Sequence, residues 1–200
     1  PVTTTINSSL GEIPSNTNLT VSYRVGGGIN SNVSEGELIN ESNISIINSY
    51  RKERVIRQLQ ENNVDAVLLF DPLNIRYATG TSNMLLWNTH NPFRSCLVFD
   101  DGYCILWDYR ESNHYVESNY LYIDEVRTGA SMFYFAKGDK VKSAAENFSD
   151  QVGEAFKKKG KHSKRLAIDK IMLDGFKSLE NKDFKIENGE KIMEHARSIK

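Results

Sequence analysis

The sequence predicts an α/β protein, with a mixed β-sheet and helices on both faces. Three observations carry this. From about residue 49 onward, short apolar runs alternate with stretches of helical period. Most of the apolar runs are short and apolar on both faces, the length and character of buried parallel strands. Two of them flank Asp101-Gly102, a hairpin signal, so at least one strand runs against the others.

The elements follow in order. SYRKERVIRQLQENN starts with Ser49 and sets Tyr50, Val55, Ile56 and Leu59 on roughly one helical face. DAVLLF, residues 65–70, is a buried strand. DPLNIRYATGTSN then reads as a turn or short helix followed by loop, with Pro72 suited to a first helical position. SCLVFDDGYCILWDY is two strands joined by a two-residue DG loop. In that register Cys96 faces Trp107, Cys104 faces Phe99, and the two sulfurs do not meet. LYIDEV, residues 121–126, is a further strand. A helix runs from near Asp139 to Gly160. RLAID is a strand, IMLDGFKSLENK a helix, DFKIE a last strand, and EKIMEHARSIK begins another helix. Residues 1–47 are rich in Ser, Asn, Thr and Gly and show no sustained period. They are expected to form a polar arm, and residues 48–200 the domain.

The 200 residues carry a formal net charge of -1, which argues against a nucleic-acid partner. The basic run FKKKGKHSKR sits at a helix end, where cations complement the dipole. No apolar run reaches the ~18 residues of a membrane span, and PVTTTINSSLGEIPSN has no secretion-signal pattern. Two cysteines make no disulfide framework, so reduced thiols and a cytoplasmic location are expected.

Two sets of residues are candidates for function. Asp71, Asp108 and Asp169 each end an apolar strand. In open α/β sheets ligands sit beyond the strands' carboxyl ends, so three such carboxylates suggest a divalent-metal nuclease. The plainer reading is that each caps the segment after it. The second set lies in LLWNTHNPFR, residues 85–94. Trp87 offers a face that attracts a quaternary ammonium or sulfonium cation, Arg94 a fork for a carboxylate, and His90 a group able to titrate near neutrality. The competing reading makes Trp87 and Phe93 core anchors and pairs Arg94 with a local acid or carbonyl. Spacing alone leaves both open. The four histidines form no metal-ligand spacing, and neither a P-loop nor a Gly-x-Ser-x-Gly elbow occurs.

Four strings, VLLFDPLNIRYATGTSNMLLWNTHNPFR, CLVFDDGYCILWDY, GASMFYFAKGDKV and RLAIDKIML, together resemble the N-terminal domain of DddP-type dimethylsulfoniopropionate lyases. These belong to the creatinase, prolidase and aminopeptidase P superfamily. The resemblance runs from about Tyr50 to Lys200 and departs at GTSNML, where DSTNMQ or similar is expected. It implies a three-layer creatinase-type domain with a ribonuclease H-like mixed sheet flanked by helices. For the complete protein it implies a homodimer that cleaves dimethylsulfoniopropionate to dimethyl sulfide and acrylate. The metal, expected to be iron, would be held by Asp, Glu and His of a C-terminal pita-bread domain beyond this chain. No cofactor, metal ligand or catalytic base is then expected here. Trp87 is implied as a substrate-pocket residue, with His90 and Arg94 as further candidates. An Xaa-Pro peptidase of the same superfamily and a stand-alone interaction module are the alternatives.

Overall fold

The computed structural model describes residues 41–109, 114, 122–129 and 131–198. The expected arm falls outside these up to residue 40, as does most of the segment following Asp108.

Helix α1 (Glu41–Glu61) begins well before Ser49. Its first turns leave Ile44, Ile46 and Ile47 exposed, and Val55 and Leu59 bury its later half. Strand β1 (Ala66–Leu69) leads into α2 (Pro72–Thr79). A six-residue helix, α3 (Leu85–His90), follows where loop was expected. Strands β2 (Ser95–Phe99) and β3 (Cys104–Asp108) form the hairpin. Strand β4 (Glu125–Thr128) comes slightly later than LYIDEV suggested. The short α4 (Tyr134–Lys137) and a 3₁₀ turn precede α5 (Val141–Lys158). Then come β5 (Arg165–Ile168), α6 (Leu173–Glu180), β6 (Lys185–Asn188) and α7 (Gly189–Arg197).

The six strands lie in the order β4-β3-β2-β1-β5-β6. Strand β2 is antiparallel to β1 and β3, and the other pairings are parallel. Five strands therefore point the same way, including β3. Asp71, Asp108 and Asp169 all emerge at one edge of the sheet.

Each face of the sheet buries its own core. On one side Leu68, Leu97, Phe99 and Trp107 pack with Phe148, Val152 and Phe156 of α5 and Leu179 of α6. On the other, Val67, Leu69, Cys96, Val98, Cys104 and Leu106 pack with α1, Ile75 of α2 and Met193 of α7. Adjacent strand residues thus feed opposite layers, which is why these strands read as continuous apolar runs.

The hairpin corrects the sequence reading. Its loop has three residues, Asp100 to Gly102, because Phe99 already pairs with Tyr103: the Phe99 N–H donates to the Tyr103 carbonyl at 2.9 Å. Gly102 takes a φ of 87°, the left-handed residue that three-residue hairpin loops require. The register moves by one, so Cys96 opposes Leu106 and Cys104 opposes Val98. Both thiols then lie on the same face. The basic run after α5 serves this turn: Lys161 reaches Asp100 at 2.5 Å, and Lys159 pairs with Asp101.

Candidate functional site

The carboxyl edge of the sheet holds both candidate sets. Asp71 caps α2: one carboxylate oxygen accepts the Leu73 and Asn74 N–H groups at 2.9 and 3.1 Å. Its other oxygen meets the Lys170 ammonium at 2.5 Å. Burial raises its pKa, but Lys170 and the cap N–H groups outweigh that and hold it below the ordinary carboxylate value. Asp169 ties β5 to β1 by accepting the N–H groups of Phe70, at 2.8 Å, and Asp71, at 3.1 Å, and the Asn74 side-chain amide at 3.0 Å. Burial wins there and raises its pKa despite those donors.

Asp108 is fully buried, and its Oδ2 accepts from Arg94 Nε at 3.0 Å. Its other oxygen accepts from Asn83 Nδ2 at 3.2 Å and the Tyr109 N–H at 2.8 Å. The three aspartates share an edge but are each engaged separately. Among the described residues no three His, Cys, Asp or Glu side chains converge to hold a metal. This arrangement favours capping and pairing over nuclease chemistry for all three.

Arg94 is only 2 % exposed. Beyond Asp108, its guanidinium donates to the Thr81 carbonyl at 3.1 Å and to the Thr81 hydroxyl. It thereby pins the start of the 81–94 loop to the end of β3. Asn88 supplies the second tie. Its amide donates to the Asn83 carbonyl at 2.7 Å and the Met84 carbonyl at 3.2 Å, while its oxygen accepts the Arg94 N–H at 3.3 Å. Phe93 stacks on Tyr109 with ring centres 4.4 Å apart. Gly129 closes the stack from behind, since a Cβ there would sit 2.2 Å from the Phe93 ring.

So held, α3 turns outward. It starts from Met84 in the left-handed region, at φ 42°. Trp87 is 38 % exposed and meets Phe135 of α4 edge-on at 5.9 Å; Phe135 itself is 80 % exposed. Leu86 and Tyr134 are exposed on the same two short helices, and Met84 is exposed at the N-cap of α3. Burial raises the Tyr109 pKa, Asp108 adds to the rise, and a hydrogen bond with Trp87 offsets part of it. His90 is exposed three residues further along α3 and lines a separate cleft of about 190 Å³ with Phe70, Pro92, Lys170 and Met172. The structure therefore brings Trp87 and Phe135 together, sets His90 beside another opening, and buries Arg94 beneath the loop.

Asn88, Thr81, Asp108 and Phe135 escape the sequence reading as members of this region. A three-residue loop would have revealed one pairing, because Arg94 and Asp108 lie symmetrically about Asp101 and continue the β2–β3 ladder. Asn88 carries no such signal: an amide inside a six-residue helix looks like surface.

Residues 51–199 match the family model described as the Creatinase/Prolidase N-terminal domain. The chain belongs to that family. Two curated relatives are similar at high identity, both dimethylsulfoniopropionate lyases DddP. The one from Roseovarius nubinhibens is 47 % identical over 151 residues, covering 76 % of this chain and 34 % of the relative. The one from Roseobacter denitrificans is 43 % identical over 157 residues, covering 78 % of this chain and 35 % of the relative. The chain thus spans about a third of their length. Among solved structures, the N-terminal domain of the cytoplasmic peptidase PepQ from Mycobacterium tuberculosis superposes with a TM-score of 0.51 at 18 % identity, covering 75 % of this chain and 99 % of that one. An Xaa-Pro aminopeptidase structure from Streptococcus pyogenes gives a TM-score of 0.52 at 15 % identity, covering 76 % and 99 % of the two chains. These structural likenesses establish the creatinase/prolidase N-terminal fold, the six-stranded mixed sheet described above.

Proposed function

We propose that this chain is the substrate-pocket and dimerisation domain of a metal-dependent lyase that cleaves dimethylsulfoniopropionate to dimethyl sulfide and acrylate. The high identity to the two lyases supports the substrate class. The observation that carries the pocket role is the outward Trp87–Phe135 pair on a loop anchored from below. An outward aromatic face suits the sulfonium end of the substrate, worth about 0.5–2 kcal/mol by cation–π attraction, the upper end once a catalytic domain covers it. Arg94 acts in this reading by positioning the loop, and His90 contacts ligand only through the neighbouring cleft. The described residues do not fit a metal, so this domain's share is to bind, enclose and exclude water. The metal centre is assigned to the two thirds of the relatives' length that this chain does not match. The protein works as a homodimer in the cytoplasm.

The test is the chain joined to a matching catalytic domain from a relative, assayed for dimethyl sulfide release. Release is expected, with Trp87→Ala lowering kcat/KM by several-fold up to about thirtyfold, the equivalent of the cation–π energy. Xaa-Pro dipeptide hydrolysis without sulfide release would overturn the lyase reading in favour of a peptidase. Activity in neither assay from a folded fusion would favour an interaction module.

A further inference from the structure

The three-residue hairpin loop places Cys96 and Cys104 on one face of the sheet, as diagonal neighbours across β2 and β3. Their sulfurs are 3.4 Å apart. Both are free thiols with 0 % exposure, packed between the sheet and α1. Arg94 and Asp108 extend the same cross-strand series by one more pair, so the thiols stand on the face that also carries the loop's anchor.

We propose that Cys96 and Cys104 are an oxidisable dithiol, which a small peroxide converts to an intramolecular disulfide that locks the β2–β3 hairpin. The sulfurs need to approach by roughly 1.4 Å to reach bonding distance. Diagonal neighbours stand about 7–8 Å apart at Cα, so closing the bond also draws the two strands together locally while keeping their register.

The chemistry balances with hydrogen peroxide as the oxidant. One cysteine, as thiolate, attacks a peroxide oxygen. The O–O bond breaks, the other oxygen leaves as water after protonation, and a sulfenic acid remains. The second sulfur attacks the sulfenic sulfur. The S–O bond breaks, and a second water departs with the remaining thiol proton. Two thiols lose two electrons, and one peroxide becomes two waters.

Burial sets the rate. The hydrogen bond shared with Cys104 favours the neutral Cys96 thiol and raises its pKa, and burial raises it further, so little thiolate exists while the hairpin is closed. Reaction therefore waits on opening at the turn. Cys104 lies only two residues beyond Gly102, and the neighbouring Asp101 is exposed.

The experiment treats the purified chain with hydrogen peroxide under native conditions, then quenches, unfolds and alkylates it before mass spectrometry. The expected product has lost two hydrogens, carries no alkyl group, yields a linked Cys96–Cys104 peptide and reverts with dithiothreitol. Amide hydrogen exchange across β2–β3 is expected to slow in that product, and its Tm to rise by a few degrees. A Cys104→Val control should give no link. Two alkylated thiols after prolonged exposure, or added oxygen at either cysteine without a link, would overturn the dithiol. A link with unchanged β2–β3 exchange would overturn the locking.

Discussion

Two junctions on the carboxyl edge of the sheet use the same residue type for different work. At the β1–β5 junction, Asp71 caps a helix and meets the largely exposed Lys170, while Asp169 stitches backbone to backbone. At the β2–β3 junction, Asp108 and Arg94 are buried together and hold the 81–94 loop in place. The first junction organises secondary structure locally. The second transmits order to a loop whose outer face is the candidate pocket. An acid at a strand end is thus defined by whether its cation is wet or dry.

The largest effect expected from that contrast is at Arg94. Arg94→Met leaves the Asp108 carboxylate buried without its cation and should cost about 3–5 kcal/mol in urea unfolding. A loss under about 1 kcal/mol would mean that the dry pair is no anchor. Asp71→Ala removes a helix cap and should cost about 1 kcal/mol by the same measurement. Lys170→Ala removes only a wet partner and should cost no more than about 0.5 kcal/mol. Trp87→Ala should change stability by about 0.5 kcal/mol or less, as for a surface site, while impairing turnover in the complete protein.

Titration sharpens the comparison within the first junction. The Asp71 pKa is depressed on folding, so its contribution is present above the ordinary carboxyl value and lost as pH falls through the lower folded value. Asp169 is raised, so its share of stability is greatest at low pH and declines as pH rises from about 4 through its folded value. Unfolding measured across that acid range in Asp71→Asn and Asp169→Asn should depart from the parent with opposite slopes. Slopes of the same sign would show that the two carboxylates share one environment.

The sequence conveyed the alternation of strands and helices well, because apolar runs of this kind have few other uses. It conveyed the cap at Asp71, since Asp-Pro before a helical stretch is a local signal. The mixed sheet of the family resemblance stands in the six-stranded order. What stayed hidden was non-local. The α3 helix has six residues, lacks a capping side chain and begins at a left-handed methionine, so local propensity opposes it; Asn88 holds it through side-chain bonds to Asn83 and Arg94, and Arg94 ties it to Thr81 and Asp108. The burial of Arg94 depends on Asp108 across the hairpin, and that partner appears only with the right register. Asp101-Gly102 read as a two-residue loop, and that length placed the thiols wrongly; the third loop residue is Asp100.

That single loop residue amounts to a parity rule for β3. With three residues between Phe99 and Tyr103, Trp107 falls in the layer beneath α5, and Cys104 and Asp108 fall in the layer beneath α1. Deleting one residue from Asp100–Gly102 would exchange those assignments along all of β3. The indole would be driven toward the helices that now cover the thiols, and the carboxylate that holds Arg94 would face the aromatic core. Length at this turn is therefore less tolerant of change than composition, although it lies at the opposite edge of the sheet from the candidate pocket.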